Sequence, residues 1–260
     1  TSGRTTLNGE GLQHQDGHSQ VFAQFIPNCM AYDPTFHYEV AVIVREGLRR
    51  MYEAQENVFY YITTLNENYH HPALPEGAEE GIIKGMYRFS QGEGDGPRAR
   101  LLGCGSILRE VIEASRLLQE DWGVTADVWS CPSFNELARD GHAARRWNRL
   151  HPGETPRQSY VQECLPAEGG PVIASTDYVR LLAEQIRPFV AARYEVLGTD
   201  GFGRSDSREA LRRHFEVDRY HVTVAALDAL AAEDALPVGK VKEAIEKYGL
   251  DPDKPYSLYA

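Results

Sequence analysis

The chain has 260 residues, 42% of them hydrophobic, enough for one large α/β domain or two smaller ones with buried cores. Its net charge of −11 provides no cationic field to hold a nucleic-acid backbone or an anionic membrane surface. The longest apolar runs, such as Val40-Ala41-Val42-Ile43-Val44, fall far short of a bilayer span and no apolar targeting segment opens the sequence, so a soluble cytoplasmic protein is expected.

Thr1-Ser2-Gly3-Arg4-Thr5-Thr6 has neither an initiator Met nor a signal-peptide pattern and reads like the interior of a larger protein. After a Gly-rich opening, Gln20 to Ile26 is predicted as a short strand, closed by Pro27-Asn28. Asp33 at the N-cap and Pro34 at the first helical position predict a helix through Tyr38, Val42, Leu48 and Met51. The β-rich run Val58 to Thr63 follows as a buried strand. Residues 66–96 are polar and rich in Glu, Gly and Pro, so a boundary is expected near residues 70 to 85, separating a unit 1–80 from a unit 81–260.

Some strand is expected at Met86 to Phe89. Beyond it strand and helix alternate: strand Arg100 to Leu102, helix Ile107 to Glu120, strand Ala126 to Ser130, helix Phe134 to Trp147. Then come strand Val172 to Ala174, helix Tyr178 to Phe189, strand Tyr194 to Leu197, and helices from Arg208, Arg219 and Val238. This is an α/β pattern of mostly parallel sheets covered by helices. Cys29, Cys104, Cys131 and Cys164 are scattered, with no Cys-x-x-Cys pair and no His spaced for zinc, so reduced, mostly buried thiols are expected.

The cluster Gly9-Glu10-Gly11-Leu12-Gln13-His14-Gln15-Asp16-Gly17-His18 crowds a carboxylate and two imidazoles into one glycine-rich loop. Such a loop can present a His to a substrate as proton donor or as hydrogen-bond donor to a developing oxyanion. The same composition also describes a polar surface turn with solvated side chains. Three further features are weighed in the same way. Gly103-Cys104-Gly105-Ser106 stands between a strand and a helix, where anions can bind, but lacks the dinucleotide fingerprint and reads as a plain turn. Asp200 to Arg208 carries Asp206-x-x-Glu209 and reads as a capped helix start rather than a catalytic loop. Arg139, Asp140, His142, Arg145 and Arg146 form a charged helix end, read as a solvated face or a subunit contact.

Glu10-Gly11-Leu12-Gln13-His14 resembles the Asp-Gly-Pro-Thr-His segment of transketolase pyrimidine-binding domains, and more closely its counterpart in the homodimeric pyruvate dehydrogenase E1 family. Ile26-Pro27-Asn28-Cys29, Tyr32-Asp33-Pro34, Glu39-Val40-Ala41-Val42-Ile43 and Thr63-Thr64-Leu65-Asn66-Glu67-Asn68-Tyr69 resemble that family in order and spacing. So do Leu137-Ala138-Arg139-Asp140-Gly141, Leu150-His151-Pro152, Ala174-Ser175-Thr176-Asp177-Tyr178 and the block from Leu197 to Arg208, so the likeness runs along essentially the whole chain.

The resemblance implies the end of a pyrimidine-binding domain, residues 1–80, followed by a transketolase-type C-terminal domain, residues 81–260. It implies thiamine diphosphate and Mg²⁺ as cofactors of the complete enzyme, decarboxylation of pyruvate, and transfer of the acyl group to the lipoyl group of an E2 dihydrolipoyl acetyltransferase. By the same resemblance His14 faces cofactor and substrate, and Glu10 is the acidic position beside it. His18 lies in the same loop with a structural role equally open, and Gln20 stands where His was expected. No Gly-Asp-Gly with a following paired-Asn segment occurs to hold Mg²⁺, so the cofactor ligands are expected outside this chain, on an N-terminal part of E1 and on a second E1 copy. Two rivals are a non-catalytic dimerisation or regulatory module and a transketolase-like ketol transferase; Leu12-Gln13 in place of Pro-Thr argues against the latter.

Overall fold

A computed structural model describes residues 3–260; Thr1 and Ser2, where the opening segment begins, lie outside the described residues. From Gly3 to His18 the chain is a loop with one 3-10 turn at Leu12–His14. Helix α1 then spans Ser19–Gln24, where a strand was predicted. The Asp16 carboxylate accepts the amides of His18 and Ser19 at 3.0 and 2.9 Å, providing the acceptors a helix start needs and outweighing the β-prone Val21 and Phe22.

Strands β1 (Cys29–Tyr32) and β2 (Phe59–Ile62) pair in parallel, Cys29 opposite Phe59 and Tyr32 opposite Ile62. Between them α2 (His37–Leu48) continues into a π-helical turn, Arg49–Glu53. The helix starts later than Asp33-Pro34 suggested. Phe36 is the N-cap, and the Glu39 carboxylate reaches back to the Thr35 and Phe36 amides. Asp33 is instead buried and accepts the Thr63 hydroxyl at 2.5 Å.

After the polar segment, α3 (Ala78–Lys84) leads into a second, separate sheet of β3 (Tyr87–Ser90), β4 (Arg98–Gly103), β5 (Thr125–Ser130), β6 (Val172–Ser175) and β7 (Tyr194–Leu197). Its order is β3-β5-β4-β6-β7, parallel throughout except for β3, which runs antiparallel at the edge. The helices are α4 (Leu108–Trp122), α5 (Phe134–Leu150), α6 (Tyr160–Cys164), α7 (Leu181–Glu184), α8 (Arg208–His214), α9 (Arg219–Ala231) and α10 (Gly239–Lys247). The architecture is a mixed α/β fold with mostly parallel sheets.

The long helix predicted over 178–189 shrinks to α7 and a 3-10 turn at Arg187–Phe189. Two backbone groups at its start are committed elsewhere: the Val179 amide donates to the Gly17 carbonyl at 3.0 Å, and the Tyr178 carbonyl accepts from Thr199 at 2.8 Å.

Alternation along β4 sends Ala99 and Leu101 to one face and Leu102 to the other. The first face packs on α4 and α9 through Leu108, Val111, Leu118, Val222 and Leu227, in a cluster that also takes Met30, Phe36 and Ile43 of the first sheet's unit. The second face packs on α5 and α6 through Phe134, Leu137 and Val161. Each such leucine or phenylalanine contributes roughly 1.5–3 kcal/mol by leaving water, so the doubly covered sheet is the stable centre of the molecule. Around the first sheet, by contrast, Phe22, Phe25, Leu48, Tyr52 and Phe59 are exposed. All four cysteines are free, three of them buried. No helix among the described residues is long and apolar enough to cross a membrane.

Candidate functional site

At the switch point of the second sheet, β5 lies on one side of β4 and β6 on the other, so the loops after β4 and β6 diverge and leave the crevice where doubly wound sheets bind ligands. Here the chain's own opening segment fills it. The Asp177 carboxylate accepts the Thr5 amide at 3.0 Å and the Thr6 hydroxyl at 2.8 Å, and Thr6 also donates to Ser106 at 2.8 Å. Arg4 reaches the Thr199 carbonyl at 2.6 Å and also bonds the Gly201 carbonyl. Burial is the largest influence on Asp177 and raises its pKa, opposed by the hydrogen bonds from Thr5 and Thr6.

This anchoring delivers residues 8–15 to the surface beside the loop 200–208. The Gly9 amide donates to the Asp206 carbonyl at 2.8 Å, and the Arg204 amide donates to Gln15 Oε1 at 2.7 Å while Gln15 Nε2 bonds the Arg204 carbonyl. Arg208 completes the clamp, its Nε donating to the Thr6 carbonyl at 2.8 Å. Held between these points, the 3-10 turn has its His14 amide on the Gly11 carbonyl at 3.0 Å.

Glu10 and His14 are both exposed on this clamped loop, and among the described residues neither side chain is engaged in a hydrogen bond or ion pair. The arrangement is a rigid backbone presenting a free imidazole and a free carboxylate outward, which suits contact with a group held by another polypeptide. His18 is exposed, its ring 6.2 Å from that of Phe22. Gln20 is buried, donating to the Tyr32 carbonyl at 2.9 Å, a structural tie.

The features weighed beside this loop find other uses. Gly103 to Ser106 is a turn into α4, but it is also a seam, since the Gly105 amide donates to the Asp33 carbonyl at 3.0 Å. Helix α8 is capped by Ser207, whose side chain accepts from the Ala210 amide at 3.2 Å, one residue after the Asp206 of the predicted pattern. Arg139 is not on a solvated face: it donates to the carbonyls of Cys29 at 2.9 Å and Ile26 at 3.0 Å, tying α5 to β1. Asp140 accepts the Tyr160 amide at 2.6 Å. What the sequence concealed is the partnership of Gln15 with Arg204 and of Thr6 with Asp177, because nothing local marks contacts across more than 170 residues.

Residues 1–72 match the pyruvate dehydrogenase E1 component middle domain, and residues 85–218 match the transketolase-like TK C-terminal domain. The chain is 65% identical to the pyruvate dehydrogenase E1 component of Cupriavidus necator over 98% of its own length and 29% of that protein. Identity to the Pseudomonas aeruginosa and Escherichia coli K12 proteins of the same name is 63% and 60%, with the same 98% and 29% coverage. The chain thus spans about 29% of the length of these curated relatives. Among solved structures, a transketolase from Pichia stipitis crystallised with sedoheptulose 7-phosphate superposes with a TM-score of 0.64 at 17% identity, covering 89% of this chain and 29% of that one. A split-gene transketolase described as an inactive beta4 tetramer gives 0.54 at 15% identity, covering 85% of this chain and 64% of that one. At such identities these two likenesses speak for the fold alone.

Proposed function

The chain belongs to the transketolase-like C-terminal domain family, and from that premise we propose that it forms the carboxy-terminal part of the E1 component of a pyruvate dehydrogenase complex. The observation that carries this reading is the 65% identity to an E1 component over 98% of the chain, set against 17% to a transketolase. That contrast favours the E1 reading over a ketol transferase, and an exposed His and Glu on a clamped loop favour it over a bare dimerisation module. The chain divides near residue 80 into the end of a pyrimidine-binding domain and a C-terminal domain, a division supported by the two separate sheets and by family matches on either side of it.

In this proposal the whole cytoplasmic enzyme decarboxylates pyruvate and passes the acetyl group to the lipoyl group of an E2 dihydrolipoyl acetyltransferase. Thiamine diphosphate, when bound, supplies the electron sink for the carbanion. Among the described residues no group of three or more His, Cys, Asp or Glu is placed to hold a metal ion, which supports assigning Mg²⁺ to residues outside this chain. The ligands of both groups then belong to an N-terminal part of E1 and to a second E1 copy. The part left to this chain is the exposed loop. There His14 donates a hydrogen bond or a proton to the substrate oxygen on which charge develops, and Glu10 orients the imidazole or holds a proton beside it.

The test is pyruvate-dependent NADH formation by an assembled complex whose E1 contains this chain, with wild type and His14→Ala matched for folded content. Activity in the wild type and a fall in kcat of about 10²-fold or more, with a smaller change in KM, are expected for a group that acts in the transition state. No activity with pyruvate sinks the reading, and a kcat within about threefold of wild type removes His14 from the chemistry.

A further inference from the structure

We propose that the second unit carries a separate site for the carboxylate of a small organic molecule, on the half of the sheet away from the His14 loop. The site is a cleft of about 800 Å³ between α3, α6 and the sheet, within the size range of small-molecule sites. This inference is independent of the E1 reading.

The cleft follows from the register of the sheet. Arg100 stands opposite Asp127 and Leu102 opposite Trp129, so these four side chains share one face. Toward the ends of the strands α5 and α6 close over Leu102 and Trp129 with Phe134, Leu137 and Val161. Toward their starts the face is left to Arg100 and Asp127, with the beginning of α3 on one side and the loop 166–169 on the other.

The floor of this cleft holds donors without acceptors. Arg100 is 3% exposed, and its two terminal nitrogens donate to the carbonyls of Pro166 and Gly170, both at 2.6 Å. Its Nε is buried and has no partner among the described residues. The neighbouring Asp127 does not supply one: among the described residues it makes no ion pair with Arg100, and its Oδ1 takes Arg98 at 2.8 Å and the Gly92 amide at 2.9 Å. Trp129, 9% exposed on the same face, has an indole Nε1 that is likewise buried and unpartnered. Gly169 keeps the guanidinium clear: a Cβ there would stand 3.6 Å from Nε and Cζ of Arg100.

A buried guanidinium with no carboxylate bonded to it and an orphan indole N–H on the same face are each costly in an unliganded fold, and a carboxylate is the acceptor that suits both. The rim decides the charge of the ligand. Glu80 is paired with Lys84 at 2.7 Å, and the exposed Glu76, Glu163 and Glu168 outweigh the exposed Arg88, so the rim opposes a dianion. A basic floor below an acidic rim therefore selects a monoanionic carboxylate over a phosphate, and the ring of Tyr160 provides a wall for its apolar part.

The experiment titrates the full chain with acetate and with inorganic phosphate, reading the indole N–H resonances of Trp122, Trp129 and Trp147 and the melting temperature. Expected are a saturable shift confined to Trp129 at about millimolar acetate, an acetate-dependent rise in Tm, and weaker binding of phosphate. Arg100→Gln should weaken acetate by about tenfold or more. Because that change also loosens the 166–170 loop, Trp129→Phe serves as the second variant. It deletes the idle N–H and also shrinks a buried ring, so Tm without acetate should fall somewhat, while the acetate-dependent rise in Tm disappears. No saturable Trp129 shift, phosphate binding as tight as acetate, or an acetate response retained in Trp129→Phe would each overturn the site.

Discussion

Asp33 is a carboxyl group withdrawn from water at the seam between the two sheets. Burial is the largest influence and drives its pKa up to about 7, against opposing hydrogen bonds from Thr63 and Cys104. A folded pKa above the unfolded one means that the folded state holds this proton more tightly. Stability is therefore fully present below the ordinary Asp value and is lost as pH rises toward 7. Asp33→Asn keeps the shape of the neutral acid and cannot ionise, so its Tm advantage over wild type should grow between about pH 4 and pH 7 and then level off. Asp177 and Glu39 are also pushed up by burial and both remain in either protein, so the difference reports Asp33 together with its repulsion by these two carboxylates. A Tm difference that stays flat across this range would show that Asp33 does not titrate there. The dipeptide Asp33-Pro34 looks like a helix start because both residue types are common there. Only the enclosure by Thr63 and Cys104, 30 and 71 positions away, turns the side chain inward, and no local pattern announces that.

At the scale of elements, the second sheet was readable because its central strands β4, β5 and β6 are short runs buried at nearly every position and bounded by turn residues. Strands β4 to β7 lie within two residues of the predicted bounds. The failures at α1 and α7 come from single polar groups, Asp16 in one case and the backbone contacts of Val179 in the other, which outweigh a run's average propensity. The clamped loop could be named from its residues, but its hold on 200–208 could not. The turn from β4 into α4 offers a test of how far tertiary crowding adds to local strain. Gly105 has φ of +51°, and a Cβ there would come within 2.4 Å of the Asp33 carboxylate. Gly123, closing α4 with φ of +64°, has nothing within 4 Å of its Cβ position. Gly123→Ala should therefore cost only the left-handed strain, about 1 kcal/mol. Gly105→Ala adds displacement of a buried carboxyl and should cost about 1–3 kcal/mol more. Denaturant unfolding of the two variants measures the gap; equal losses would mean that the seam yields freely around Asp33.

On the scale of the whole molecule the two units are unequally finished. The second sheet has five strands with helices on both faces, whereas the first has two strands and one connecting helix. Two strands alone are marginally stable in water, so the first unit depends on Met30, Phe36 and Ile43 packing into the larger cluster and on Arg139 holding the β1 end. Its outer surface remains uncovered: Phe22 is 61% exposed, Phe25 73%, Tyr52 73% and Phe59 43%. Large aromatic side chains in that number around one small sheet are what a surface covered by another polypeptide would present. The chain spans 29% of the length of its E1 relatives, and in the proposed enzyme the remainder of E1 is what covers it. The purified chain alone should therefore enhance the fluorescence of an apolar dye such as ANS and associate as its concentration rises. Addition of a polypeptide carrying the rest of E1 should abolish both effects in stoichiometric proportion. Phe25→Ser should weaken dye binding and assembly together while leaving the Tm of the chain within about 1 °C, because a side chain this exposed contributes little to the isolated fold. A chain that stays monomeric, binds no dye and ignores the rest of E1 would show that this surface is not an interface, and would remove the structural argument for a composite enzyme.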